Sequence, residues 1–281
     1  MGEVCAITKD AEKRGSIFPR GFADRGPEFT LSPMLFNLST KPNDVAVVDA
    51  NGVITRGELA SAIAAGAGHL RSLGVAEKDV VLVSVELSIR AVIALLAARA
   101  TGALACAVNH HQLEAAAAKL SPKLIIGSEP VEGHTVVSLD ALGTGGEKWT
   151  EPALDGAWGI HTSGSTGEPK TVVLSAATES HLTSSTISTI GYRADDEVYM
   201  TLPFSHILGL SQIWICLSAG CTLHLPPPDL PVMQLAKWAG EATMIPAIPV
   251  HMRMLSMARR KPPLRMVTLG GQVTMPEDRL L

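Results

Sequence analysis

Between Val80 and Gly127 the chain alternates short unbroken apolar runs with segments of helical spacing, and few architectures accept that rhythm. Val80 to Val85 is continuous and mostly β-branched. Ser88 to Ala100 reads as a helix that Gly102 ends, Ala103 to Val108 as a strand, Gln112 to Leu120 as a helix and Leu124 to Gly127 as a strand. Strands that are apolar on both faces, joined by helices, belong to mostly parallel sheets covered by helices, so the expected class is α/β. The most apolar run, Ala91 to Val108, raises a membrane span, but Arg99 and Thr101-Gly102 interrupt it. A buried helix followed by a buried strand accounts for it better.

The same pattern extends in both directions. Val45 to Asp49 and Val53 to Thr55 flank Asn51-Gly52, a strong hairpin turn, and Thr55 with Glu58 forms a capping box that opens a helix. Leu59, Ile63, Ala67 and Leu70 share one face of that helix, and Gly74 supplies its stop. Later strands are expected at Trp158–His161, Thr171–Leu174, Glu197–Thr201, Thr222–Leu225, Ala242–Ile245 and Met266–Leu269, with a helix from about Ala176. Residues 1–40 are rich in Pro, Gly and charge and read as an extended lead-in, with one short helix near Pro33 to Leu38. Composition shifts to Gly, Pro and acidic residues between Ser128 and Gly156, around a short apolar run at Thr135 to Leu139. That shift divides the chain into an α/β subdomain over 41–156 and a second over 157–281.

Composition narrows the function classes. With 46% hydrophobic residues the chain buries a substantial core, and 23 basic against 27 acidic residues leave a net charge of -4, which is no footprint for nucleic acid. Cys5, Cys106, Cys216 and Cys221 show no CxxC pairing and lie mostly in apolar stretches, as reduced buried thiols do. Charges at Lys9, Glu12, Lys13 and Arg14 occupy the place of a signal peptide's apolar core, so a cytoplasmic location is expected.

Chemistry concentrates in HTSGSTGEPKTVVLS. Thr162, Ser163, Gly164, Ser165, Thr166 and Gly167 make a loop of small residues, and Lys170 follows three positions later. Glycines let the backbone turn and approach a ligand, successive N–H groups converge on anionic oxygens, and hydroxyls with one ammonium complete a cradle for a polyphosphate. The spacing is not that of the common NTPase loop GxxxxGK[ST], and Pro169 stops a helix from opening directly off the glycines. A Gly/Ser hairpin without a ligand is the plainer alternative.

TSGSTGEPK resembles the signature of the adenylate-forming superfamily, which includes acyl-CoA synthetases, aryl-CoA ligases, luciferases and the adenylation domains of peptide synthetases. The resemblance assigns Thr162 to Gly167 and Lys170 to the β- and γ-phosphates of ATP. Where the family usually continues with Gly and then Thr-His, this chain has Thr171 and then Ser175-Ala176. Thr55–Leu73, Gly74–Val83 and Ala97–Asn109 resemble the family's early helix, Gly-Asp turn and following elements. LPFSHILGL, Leu202 to Leu210, is similar to a Pro-x-x-His-x-x-Gly segment that borders the acyl pocket, which places His206 and Gly209 there. Alone, His206 reads equally as a histidine capping the helix that starts near Ile207. Ala247 to Leu255 resembles a segment whose proline opens a helix behind the pocket, and LGGQVTMPEDRL a strand end whose Gly270 and Gly271 face the acyl group. Met252, Met254 and Met257 read as core filling.

The resemblance implies the fold of the family's N-terminal domain, two similar layered subdomains, with the C-terminal domain absent. It implies ATP and Mg2+, a small carboxylic acid, and transfer of the acyl group to coenzyme A or a carrier-protein thiol. Residues that would bind magnesium, anchor the ribose and supply the catalytic lysine come later in the family than Gly271, so no catalytic or metal-ligating residue is assigned in this chain. It is expected to be inactive alone. It would be a piece of a longer enzyme, one half of a split enzyme completed by a second chain, or a noncatalytic binding relative. Ser205 to Ser211 contains no acid to pair with an ammonium, which favours a fatty, aryl or other plain acid over an amino acid.

Overall fold

The computed structural model describes residues 4–7, 38, 41–84, 86–142, 157–162 and 170–270. In chain order the strands and helices are β1 (Val4–Ile7), β2 (Val45–Asp49), β3 (Gly52–Thr55), α1 (Arg56–Ser72), β4 (Val80–Ser84), α2 (Ile89–Ala100), β5 (Leu104–Val108), α3 (Leu113–Leu120), β6 (Leu124–Ile126) and β7 (Val136–Val137). After them come β8 (Ala157–Thr162), β9 (Lys170–Leu174), α4 (Ala176–Thr186), β10 (Glu197–Tyr199), α5 (Ile207–Ala219), β11 (Thr222–His224), α6 (Leu235–Trp238), β12 (Met244–Ala247), α7 (Pro249–Met257) and β13 (Met266–Leu269). A seven-stranded sheet runs β1-β9-β8-β5-β4-β6-β7 and a six-stranded sheet β13-β12-β10-β11-β2-β3. Among the described residues only the β1–β9, β8–β9 and β2–β3 pairings are antiparallel. The expected α/β class holds.

Local chemistry sets the element ends. Thr55 Oγ1 accepts from the Glu58 N–H at 3.3 Å while the Glu58 carboxylate accepts from the Thr55 N–H at 2.9 Å, the reciprocal capping box that opens α1. Ser88 and Ser175 cap α2 and α4 in the simpler way, each accepting from an N–H three residues on. Pro249 sits at the first turn of α7, where a missing N–H costs nothing.

The apolar runs are continuous because both faces of each sheet are covered. Val81 and Val83 of β4 join one core cluster, whereas Val80 and Leu82 join another around α3. The main cluster takes in Leu59 and Leu70 of α1, Leu95 of α2 and Trp214 of α5, together with inward residues of both sheets, so these helices lie between the sheets. The outer face of the six-stranded sheet is covered by α6 and α7 through Leu235, Met252 and Leu255. Ala91 to Val108 is, as expected, a buried helix and a buried strand.

Two buried charged groups stitch the middle layer. Arg56, fully buried, donates to the carbonyls of Leu217 and Cys221 at the carboxyl end of α5. Arg99 donates through Nε to Glu179 at 2.8 Å, its Nη2 forms an ion pair with the same oxygen at 2.7 Å, and that carboxylate also accepts from the Trp158 indole at 2.6 Å.

Two features of the topology lie beyond the sequence reading, and one expectation, for Met257, needs correction. The sheets do not follow a linear division at residue 156: β2 and β3 belong to the six-stranded sheet, whereas β8 and β9 complete the seven-stranded one. Composition marks loops but is blind to which distant strands pair. The lead-in contains a strand, β1, whose Val4 to Ile7 pair with Leu174 to Thr171. Within the helix expected near Pro33 to Leu38, Leu38 is helical and buried, and the remainder lies outside the described residues. Met257 is not core filling but 71% exposed, because it falls off the Met252–Leu255 face of α7.

Candidate active site

In the six-stranded sheet the chain passes from β10 to its neighbour β11, then crosses to β12 on the opposite side of β10. Such a reversal opens a crevice at the carboxyl ends of parallel strands, where open α/β sheets bind ligands. Thr201, just past β10, donates its hydroxyl to the Pro246 carbonyl of β12 and so ties the two sides of the crevice.

The segment that follows folds back on itself. The His206 N–H donates to the Pro203 carbonyl at 3.2 Å, and the His206 carbonyl accepts from Gly209 and Leu210 at 3.0 and 2.8 Å. His206 therefore occupies the N-cap of α5 through its backbone. Its imidazole is exposed and makes no capping hydrogen bond. Gly209 is buried, and a Cβ there would lie 2.1 Å from the Pro203 carbonyl oxygen, so only glycine lets the helix start beneath this turn. Gly270, at the end of β13, donates to the Ala247 carbonyl at 3.2 Å, and a Cβ on it would lie 2.7 Å from Leu208. The structure thus brings the 202–210 segment and Gly270 together. Gly271 lies outside the described residues.

The other half of the expected site is the β8–β9 hairpin of the seven-stranded sheet. Thr162 and Lys170 are register partners, so the two ends of the small-residue loop meet across one ladder step. Ser163, Gly164, Ser165, Thr166, Gly167 and Pro169 lie outside the described residues, as do the side chains of Thr162 and Lys170. Just before the loop, His161 shares a 3.0 Å hydrogen bond between Nδ1 and the Thr171 hydroxyl. Its Nε2 is buried with no hydrogen-bond partner among the described residues. Burial, with a smaller push from Lys119, holds this imidazole below its ordinary pKa.

A cavity of about 580 Å³ runs along the carboxyl edge of the six-stranded sheet, with Asp49, Met200, Thr201, Pro226, Trp238 and His251 among its walls. His206, Gly209 and Gly270 are not among its described lining residues, so it adjoins the expected acyl site without coinciding with it. His251 accepts at Nδ1 from the Ile248 N–H at 3.5 Å, and burial lowers its pKa. Sequence reasoning placed Thr201 at a strand end and His251 within the Ala247–Leu255 segment but gave neither a place in the site. Among the described residues no group of three or more His, Cys, Asp or Glu side chains is placed to hold a metal ion, and no helix is long and apolar enough to cross a membrane.

Comparison with known proteins agrees with the fold. Among curated proteins, 122 residues are 30% identical to the delta-poly-L-ornithine synthetase of Acinetobacter baumannii (strain AB307-0294), covering 42% of this chain and 9% of that protein. A stretch of 81 residues is 42% identical to long-chain fatty acid transport protein 5 of Mus musculus, covering 28% of this chain and 11% of that one. The chain thus matches only a small part of these relatives' own lengths. Among solved structures, VinN superposes with a TM-score of 0.76 at 25% identity, over 89% of this chain and 70% of that one. The o-succinylbenzoate CoA synthetase (MenE) of Bacillus subtilis does so with 0.79 at 20% identity, over 89% of this chain and 55% of that one, which speaks for the fold alone. Residues 37–279 match the family model described as AMP-binding enzyme, and the chain belongs to that family.

Proposed function

We propose that this chain is the nucleotide- and acyl-binding part of an ATP-dependent acyl- or aryl-acid ligase. The observation that carries the proposal is the pairing of Thr162 with Lys170, which brings the two ends of TSGSTGEPK together on neighbouring strands of an AMP-binding fold. In this reading Thr162, Ser163, Gly164, Ser165, Thr166, Gly167 and Lys170 hold the β- and γ-phosphates, while His206, Gly209, Gly270 and Gly271 border the acyl group. A carboxylate oxygen attacks the α-phosphorus, the bond to the β-phosphate oxygen breaks, and pyrophosphate leaves with the electron pair. A thiolate of coenzyme A or a carrier protein then attacks the acyl carbon and AMP departs.

The protein's contribution is alignment and charge neutralisation. Magnesium would accompany the triphosphate as its counter-ion. A plain acid fits better than an amino acid because Ser205 to Ser211 offers no carboxylate for an ammonium. The proposed setting is the cytoplasm.

Completion by further polypeptide, from the same chain or a second one, is part of the proposal. Among the described residues β13 is the outer strand of its sheet, and in this reading the added polypeptide pairs along that edge. The test is pyrophosphate or hydroxamate release with ATP, magnesium and a panel of fatty and aryl acids, with this chain alone and with a candidate partner. Release only with the partner supports a completed ligase. Binding of ATP and acid without turnover in either case favours a noncatalytic relative, and absence of both binding and turnover contradicts the proposal.

A further inference from the structure

The carboxyl edges of the two sheets are joined by a side-chain hydrogen bond. Ser205, 5% exposed, donates its hydroxyl to the Asn109 side-chain oxygen at 2.9 Å across 96 residues of sequence. Asn109 follows β5 of the seven-stranded sheet and occupies the N-cap of a short 3₁₀ turn, His110–Gln112, yet its side chain makes no capping bond there. An asparagine at such a position ordinarily bonds the local backbone. Here it reaches across to the other sheet instead.

The 201–206 segment is consequently fixed from three sides. Thr201 is bonded to Pro246 of β12, Phe204 is buried in the main core, and Ser205 is bonded to Asn109. His206 is the next residue and is exposed. The bond to Asn109 refers His206 to the sheet that carries the β8–β9 hairpin, whereas the bond to Pro246 refers it only to its own sheet.

We infer that Ser205 and Asn109 are positioning residues that set the separation between the acyl-pocket wall at His206 and the phosphate-binding hairpin. This rests on the functional reading above, because alignment of a carboxylate with the α-phosphorus is the step that such a separation controls. A misplacement of about 1 Å costs on the order of 100-fold in such reactions. The pair acts through His206 and touches no reacting atom.

The experiment uses the full chain and two readouts on Ser205→Ala, Asn109→Ala, the double variant, and the conservative Ser205→Thr and Asn109→Asp. The first readout is amide hydrogen exchange at Gly209 and Leu210, whose N–H groups bond to the His206 carbonyl. Each alanine variant is expected to speed this exchange about 5-fold, the factor that one net hydrogen bond supplies, with no further gain in the double variant. The conservative variants, which keep a donor hydroxyl or an acceptor oxygen, should restore it, and exchange in the middle of α5, at Ile213 and Trp214, should stay unchanged.

The second readout is the affinity for a fatty or aryl acid in the presence of ATP and magnesium, which should fall by a similar factor with the same non-additivity. Unchanged exchange at Gly209 and Leu210, or additive effects in the double variant, would overturn the tie. Faster exchange with unaltered acid affinity would overturn its positioning role. If the unaltered chain binds no acid while exchange responds as expected, the tie stands and the ligase reading is what fails.

Discussion

Gly209 lies directly beneath Pro203: a Cβ on the glycine would stand 2.1 Å from the proline carbonyl oxygen and 2.8 Å from that of Leu202. Both obstacles are backbone, so neither yields by rotating a side chain. Gly209→Ala is expected to destabilise the chain by about 1–3 kcal/mol, the usual range for overpacking a tight site. Gly240→Ala, where the nearest atom is the Lys237 carbonyl oxygen at 3.4 Å, is the control and should change stability by less than about 0.5 kcal/mol. Urea denaturation of both variants checks the contrast; equal midpoints would contradict it.

The buried Arg99–Glu179 pair makes a second prediction. Arg99→Met removes the guanidinium from a carboxylate that is 1% exposed, and removing one partner of such a buried pair costs about 3–5 kcal/mol. Arg99→Met with Glu179→Leu removes both charges and should recover part of that loss, although the Trp158 indole then loses its acceptor. Thermal unfolding of the single and double variants reads this out. A double variant no better than the single one would place the stabilising role elsewhere than in charge pairing.

Stability should also depend on pH through His161 and His251. Burial lowers both imidazoles in the folded chain, with Lys119 adding to the effect on His161, so the unfolded chain binds the proton more tightly. Their contribution is therefore fully present above the unfolded value of about 6.5 and is lost as pH falls below it toward the folded value. His161→Gln should flatten the acid limb of a stability profile measured between pH 7.5 and 5, both bounds being about one unit or more from 6.5. An unaltered slope would show that His161 does not titrate on unfolding.

Much of the fold was legible because its signals are local. Thr55 with Glu58, the Leu59–Leu70 face and the β-branched run at Val80 each announce an element within a few residues, and each was found where expected. Pairing was not legible. Nothing near Val4 indicates Leu174 as a partner, and nothing in the β2–β3 hairpin indicates that β2 pairs with β11. Those choices are made by burial across the whole molecule.

The site divides in the same way. The composition of TSGSTGEPK suits a polyphosphate but leaves a hairpin without a ligand open, whereas the pairing of Thr162 with Lys170 follows from flanking strands that the sequence also reveals. The contact between Gly270 and Leu208, and the bond from Ser205 to Asn109, join segments far apart in the chain, and neither residue type marks its partner in advance.

The most direct measurement is equilibrium binding of ATP with magnesium to the unaltered chain and to Lys170→Met, by calorimetry. Lys170 keeps its backbone place in the β9 ladder after this substitution, so the change reports on the ammonium group. Saturable ATP binding that weakens by about 10- to 100-fold in the variant is the predicted result, the factor expected from losing one hydrogen bond to a charged group. Equal affinity in the two proteins, or no ATP binding by either, would contradict the assignment of this loop to the triphosphate.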